Sequence, residues 1–289
     1  MQHVVCRVSV APLRAAPSER SEMVSQLLFG ESAEVHEVRD NRCLVTSSWD
    51  GQSGWIDLKQ IEPIGQSEYA EYQESYAISL SLVEGLMAED HFVPLTLGAT
   101  LPRFDGLRCE LGKRSFQFSG PAVRPGPERQ SGAWIAKVAK RYLHAPYLWG
   151  GRSPFGIDGS GLTQMIYKAA GIRLMRRPEQ QVLQGRSVDF TEQCQEGDLA
   201  FFDDGKGEVG HVGIVLADCH VIHAYGSVRV DKLDHFGVYC PQTNRYTHQL
   251  RVIRRLLPDE LPAKSAEQGE SADSLAAAFM PPNQMALFE

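Results

Sequence analysis

Tyr147-Leu148-Trp149-Gly150-Gly151-Arg152-Ser153-Pro154-Phe155-Gly156-Ile157-Asp158-Gly159-Ser160-Gly161-Leu162-Thr163-Gln164 reads as a Gly-rich loop that runs directly into a helix. From Gly159 onward the apolar residues Leu162, Met165, Ile166 and Ala169 fall at helical spacing and make one stripe. Gly171, after Ala169-Ala170, stands where a left-handed C-terminal cap is expected. Asp158 stands where an N-cap acceptor belongs. Residues 158–160 therefore occupy a helix N-terminus, where free N–H groups and the helix dipole favour negative charge. A thiolate or an oxyanion would be stabilised there, yet the stretch contains no thiol.

C-terminal to it, Glu196-Gly197-Asp198-Leu199-Ala200-Phe201-Phe202 reads as a turn into a buried strand. Strands are expected at His211–Leu216, Val221–Tyr225 and Leu250–Leu256, and a short helix around Gln180-Gln181 and Leu183. If Ala217-Asp218-Cys219 is a three-residue turn, Gly213 faces His223 across a hairpin. Alternation then puts His211 and His223 on one face as diagonal neighbours, about 7–8 Å apart at the backbone. One ring could act as a base while the other fixes its tautomer. Two ordinary strand histidines would give the same pattern. A zinc site on the pair lacks a third ligand at convincing spacing, and zinc catalysis usually takes three. No metal and no cofactor is expected.

N-terminal to it, Ala133–Lys140 reads as an amphipathic helix. Residues 1–64 read as short strands with turns at Gly30-Glu31 and Asp50-Gly51, which suits a small barrel. Residues 65–90, rich in Glu, Gln, Ala, Ser and Leu, read as a helical connector ending near Gly85 or Met87. Strand and turn signals resume at His91 and suit a second small barrel, and Pro121, Pro125 and Pro127 mark a linker. The layout is thus 1–64, 65–127 and 128–257, with helices preceding an antiparallel meander in the last unit, an α+β arrangement. Residues 258–289 read as a disordered tail in which Phe279-Met280 and Leu287-Phe288 could dock.

The 289 residues are enough for two or three small domains. A net charge of -7 argues against nucleic acid and anionic membranes as partners. The N-terminus has no apolar run behind a basic start, so neither a signal peptide nor a membrane span is expected. The six cysteines are scattered without a C-x-x-C pair and read as reduced thiols of a cytoplasmic protein.

Five blocks occur in one order: Pro146-Tyr147-Leu148-Trp149-Gly150-Gly151, Gly156-Ile157-Asp158-x-Ser160-Gly161-Leu162, Gly197-Asp198-Leu199, His211-Val212-Gly213-Ile214 and His223-Ala224. Together they resemble the NlpC-type papain-like cysteine peptidases of bacterial cell-wall turnover, over about residues 130–257. Pro12-Leu13-Arg14, Ser21–Gln26, Gly30-Glu31 and Asp50–Ile56 resemble a bacterial SH3-like domain. The whole is most similar to the γ-D-glutamyl-L-diamino-acid endopeptidases, and the resemblance implies a papain-like catalytic domain preceded by two small SH3-like β-barrels. It implies that the position after Asp158 is the nucleophile, His211 the general base and His223 its orienting partner. The helix N-terminus with the Tyr147 hydroxyl would form the oxyanion hole, and Asp158 and Ser160 would line the site. The substrate implied is a peptidoglycan peptide, L-Ala-γ-D-Glu-diamino acid, cut through an acyl-enzyme.

The sequence departs from that pattern twice. Position 159 is glycine where the family has cysteine, so no cleavage is expected of the chain as written. Ser160 points about 100° away and is a poor substitute. Position 177 is arginine where the family often has an aspartate that helps hold the substrate's free amine; Glu179 could replace it. The alternative to an endopeptidase lacking its nucleophile is a non-catalytic binder of the same peptides.

Overall fold

The computed structural model describes residues 2–203, 205–241 and 243–258. Apart from Pro258, the expected tail over residues 258–289 lies outside the described residues.

The first seven strands form one sheet in the order Met23–Leu28, Val10–Arg14, Ser53–Asp57, Arg42–Ser47, Ser32–Arg39, His3–Cys6, Ile61–Ile64. Its alternating residues close on Val4, Cys6, Leu13, Leu27, Val45 and Ile56. Gly30 and Gly51 take positive φ at the expected turns.

The helical connector is shorter than its composition suggests. Gln66–Glu74 is helical, with the Glu68 carboxylate accepting from the Gly65 amide at its start. The chain then turns to strand. Tyr76–Ser79 pairs with Thr100–Pro102 and Ala122–Val123, and Val83–Met87 pairs with Phe92–Thr96. Ala77 and Leu86 complete a core with Leu95, Leu101, Leu111, Phe116 and Phe118. Burial against these strands overrides the helical bias of the Ser- and Leu-rich segment.

In the last module, helices Gly132–Lys140 and Gly159–Ala169 pack on an antiparallel sheet. The sheet order is Arg186–Val188, Arg245–Arg255, Leu199–Asp203, Val209–Leu216, His220–Tyr225, Ser227–Leu233, Gly237–Cys240. Gly237–Cys240 also pairs back to Arg245–Arg255, which closes six of the strands into a barrel. Phe202, Val215, Val221, Leu233, Val238 and Ile253 pack together as one apolar cluster of that barrel. Four of these strands exceed the sequence expectation: Arg186–Val188, Ser227–Leu233 and Gly237–Cys240 are additional, and the last strand begins at Arg245 rather than Leu250. Leu28 and Leu97 from the two N-terminal modules join the core under helix Gly159–Ala169.

Candidate active site

Helix Gly159–Ala169 begins where the sequence places it. Asp158 is its N-cap, its Oδ1 accepting from Gly161 N at 2.7 Å. Its Oδ2 accepts from Gly150 N at 2.8 Å, which folds the Gly-rich loop back over the helix start. A Cβ at Gly161 would strike the Gly151 carbonyl, so only glycine lets loop and helix approach this closely. Gly171 caps the far end at φ 81°.

The hairpin has the expected register, with Gly213 opposite His223. His211 and His223 share the strand face of Val215 and Val221 and stand at the mouth of the barrel. His211 Nε2 lies 2.8 Å from His223 Nδ1, and His223 Nε2 lies 3.0 Å from Asp231 Oδ2. Burial pushes the Asp231 carboxyl up, but hydrogen bonds from His223 and Arg229 outweigh it and hold it below the usual range. Asp231 is therefore a carboxylate, which can only accept. That assigns the tautomers by the hydrogen-bond network. His223 donates from Nε2 and accepts at Nδ1, so His211 donates from Nε2 and keeps its Nδ1 lone pair free. Burial, then His223 and His248, hold His211 well below the ordinary histidine pKa, so the ring is neutral.

That lone pair faces position 159. A Cβ built on Gly159 would stand 3.2 Å from His211 Nδ1 and 3.1 Å from Cε1. It would also stand 2.8 Å from the Val212 carbonyl oxygen, closer than a side chain tolerates without a small backbone shift. No cysteine side chain is within the loop, the helix start or the two histidine strands; none of the six cysteines is in a disulfide, and only Cys219 is exposed.

The cleft has two arms that share Tyr147, Gly210 and His211. The smaller, about 280 Å³, is lined by Asp158, Gly159, Ser160, Arg176 and Glu179, and by Glu22 and Val24 of the first barrel. Glu22 accepts from Trp149 Nε1 at 2.7 Å and so anchors the loop to that barrel. The larger arm, about 1030 Å³, is walled by Tyr225, Phe236, Tyr246 and His248. Tyr147 is 40% exposed between the arms.

Arginine enters the site one residue before the position singled out in the sequence. Arg177 is exposed at the rim of the smaller arm. Arg176 is buried, 2.7 Å from Asp158 Oδ2, and donates to Ser160 Oγ at 2.9 Å and to Ser25 Oγ at 3.1 Å. Asp158 is thus occupied by its cap, the loop amide and Arg176. Asp231 and His248 were not singled out in the sequence. Asp231 lies on an additional strand. His248 lies in the part of the last strand left out by starting at Leu250, and its ring stacks on His211 at 4.3 Å. In both cases the local signal is a single apolar residue two places on, Leu233 after Asp231 and Leu250 after His248.

Residues 144–251 match the NlpC/P60 family, and residues 13–61 match the bacterial dipeptidyl-peptidase SH3 domain. The chain carries an NlpC/P60 domain. The fold agrees: a crystal structure of an NlpC/P60 family protein from Bacillus cereus superposes with a TM-score of 0.74 at 24% identity, covering 89% of this chain and 100% of that one. A γ-D-glutamyl-L-lysine dipeptidyl-peptidase of Bacillus cereus is 39% identical over 129 residues, 43% of this chain and 36% of the relative. Its counterpart from Bacillus subtilis is 34% identical over 111 residues, 38% of this chain and 37% of the relative. The matches to these two relatives thus span little more than a third of their length. Dipeptidyl-peptidase 6 of Lysinibacillus sphaericus is 27% identical over 251 residues, 78% of this chain and 89% of the relative. In the NlpC/P60 domain of this chain, the histidine pair and the helix N-terminus surround a glycine. No helix among the described residues is long and apolar enough to cross a membrane.

Proposed function

We propose that the cleft binds peptidoglycan-derived peptides of the type L-Ala-γ-D-Glu-diamino acid, and that the chain holds the acid–base half of a cysteine-peptidase site without its thiol. The observation that carries this reading is the His211 Nδ1 lone pair, 3.2 Å from where a Cβ of residue 159 would stand, at the N-terminus of an 11-residue helix. In this reading His211 is the base and His223, held by Asp231, its orienting partner. Tyr147 and the first helix amides receive the oxyanion. Asp158 and Ser160, braced by Arg176, shape the arm that takes the γ-glutamyl side. Arg177 and Glu179 stand at the rim, where Glu179 and Glu22 offer carboxylates to a free amine. The relatives named as γ-D-glutamyl-L-lysine dipeptidyl-peptidases support this choice of substrate class. Six cysteines outside any disulfide suit a reducing compartment, so we assign the work to short peptides recycled in the cytoplasm.

A second reading, a non-catalytic binder of the same peptides, is favoured by one contact. The Val212 carbonyl has closed on Gly159 to a distance that leaves no comfortable room for a side chain.

The test is mass spectrometry of L-Ala-γ-D-Glu-diaminopimelate after incubation with the chain as written and with Gly159→Cys, beside calorimetric binding to both. Binding by both forms and release of L-Ala-γ-D-Glu by the Cys form alone is the expected result. Binding without release by either form supports the binder. Neither binding nor release removes the substrate assignment.

A further inference from the structure

We propose that His211, His223 and His248 form a site for a zinc-class divalent metal ion. One nitrogen of each ring lies within 4.8 Å of the other two. The partners of two rings fix which nitrogens face inward. His223 Nε2 is tied to Asp231 and His248 Nδ1 lies 2.9 Å from Thr247 Oγ1, leaving His223 Nδ1 and His248 Nε2 as ligands. His211 Nε2 is already 2.8 Å from His223 Nδ1. Three imidazoles with one ring nitrogen backed by a carboxylate are the donor set that zinc takes when a fourth position stays open. Here the open position gives onto the 1030 Å³ arm that His248 lines.

The movements required are small. Ligand nitrogens about 2.0–2.1 Å from a tetrahedral zinc stand about 3.3 Å apart. His211 and His223 must therefore separate by about half an ångström, and His248 must close by at most about 1.5 Å. The His248 ring, now stacked on His211 at 25°, has to swing so that its lone pair converges; it is half-buried beside open space.

Occupancy has a chemical consequence. The metal replaces the proton between His211 and His223, so the His211 proton moves from Nε2 to Nδ1. The lone pair that faces position 159 is then lost. Metal binding and the base form of His211 exclude one another.

Cobalt(II) titration of the chain as written tests the site, since a tetrahedral cobalt centre absorbs in the visible and zinc should displace it. One cobalt per chain is expected, with the bands lost in His248→Ala, kept in Cys219→Ser, and Asp231→Asn weakening binding by about 10–100-fold. Circular dichroism checks each fold. Should His248→Ala unfold, His248→Phe, which keeps the stack on His211, takes its place. Absence of bands at millimolar cobalt, or bands that survive loss of His248 in a folded variant, would overturn the proposal.

Discussion

The buried polar clusters around Glu31 and around His223 are held by opposite electrostatics. Glu31, from the first barrel, is buried between two cations of the last module. Its carboxylate is 2.7 and 2.8 Å from the Arg152 guanidinium and 2.6 Å from Lys168 Nζ. Lys168 also donates to Gly98 O and Thr100 Oγ1 of the second β-module, both at 2.9 Å. One carboxylate thus ties three modules together beside the loop that carries the site. Burial pushes Glu31 up, but Arg152 and Lys168 outweigh it and hold it at about 2. The histidine cluster has a carboxylate only in the second rank among the described residues, Asp231, shared with Arg229, and the rings of His211 and His248 stay neutral. A buried charge needs its counter-charges at contact and becomes a structural joint. A neutral ring at a cleft keeps a lone pair for chemistry.

The largest expected effect breaks the second cluster. In the Gly159→Cys background, Asp231→Asn should lower peptide turnover by up to about 10⁴-fold, because an amide that can donate as well as accept no longer fixes the His223 and His211 tautomers. Steady-state kinetics would show it, and unchanged turnover would detach Asp231 from the base. Next, Glu31→Ala should cost about 3–5 kcal/mol in denaturant unfolding, since it leaves two buried cations unpaired.

The same joint sets an acid response. The folded pKa of Glu31 lies below its ordinary 4.5, at about 2, so its contribution is complete above pH 4.5 and is lost as pH falls from there toward 2. Chemical denaturation at stepped pH would follow that loss, and it should flatten in Glu31→Gln. At the small end, Arg177→Ala should change stability by less than about 1 kcal/mol, because its contact with Glu179 is exposed and 3.8 Å long.

How much of this was legible in the sequence divides along the same line. The helix from Gly159, its Asp158 cap, the Gly171 end and the Gly213–His223 register all follow from local periodicity and turn chemistry. Glu31, Arg152 and Lys168 do not, because 121 and 137 residues separate the carboxylate from its partners and no local pattern links them. His248 and Asp231 fall between. Each sits on a strand whose alternation is interrupted by polar residues, so the strand and its inward-facing ring or carboxylate were missed together. Arg176 and Arg177 are adjacent and chemically alike; only the fold decides which is buried against Asp158.

In the proposed function His211 is a base aimed at an unfilled nucleophile position, and the thiol of Gly159→Cys can report on it without any substrate. Its rate of alkylation against pH is best measured with Cys219→Ser to remove the exposed thiol; Cys194, pushed up to about 11 chiefly by burial, reacts little. The helix N-terminus and His211 should bring the new thiol to a pKa of about 3.5–7.5, and His211→Ala should return it toward about 8.5. An ordinary thiol pKa that ignores His211 would contradict the account.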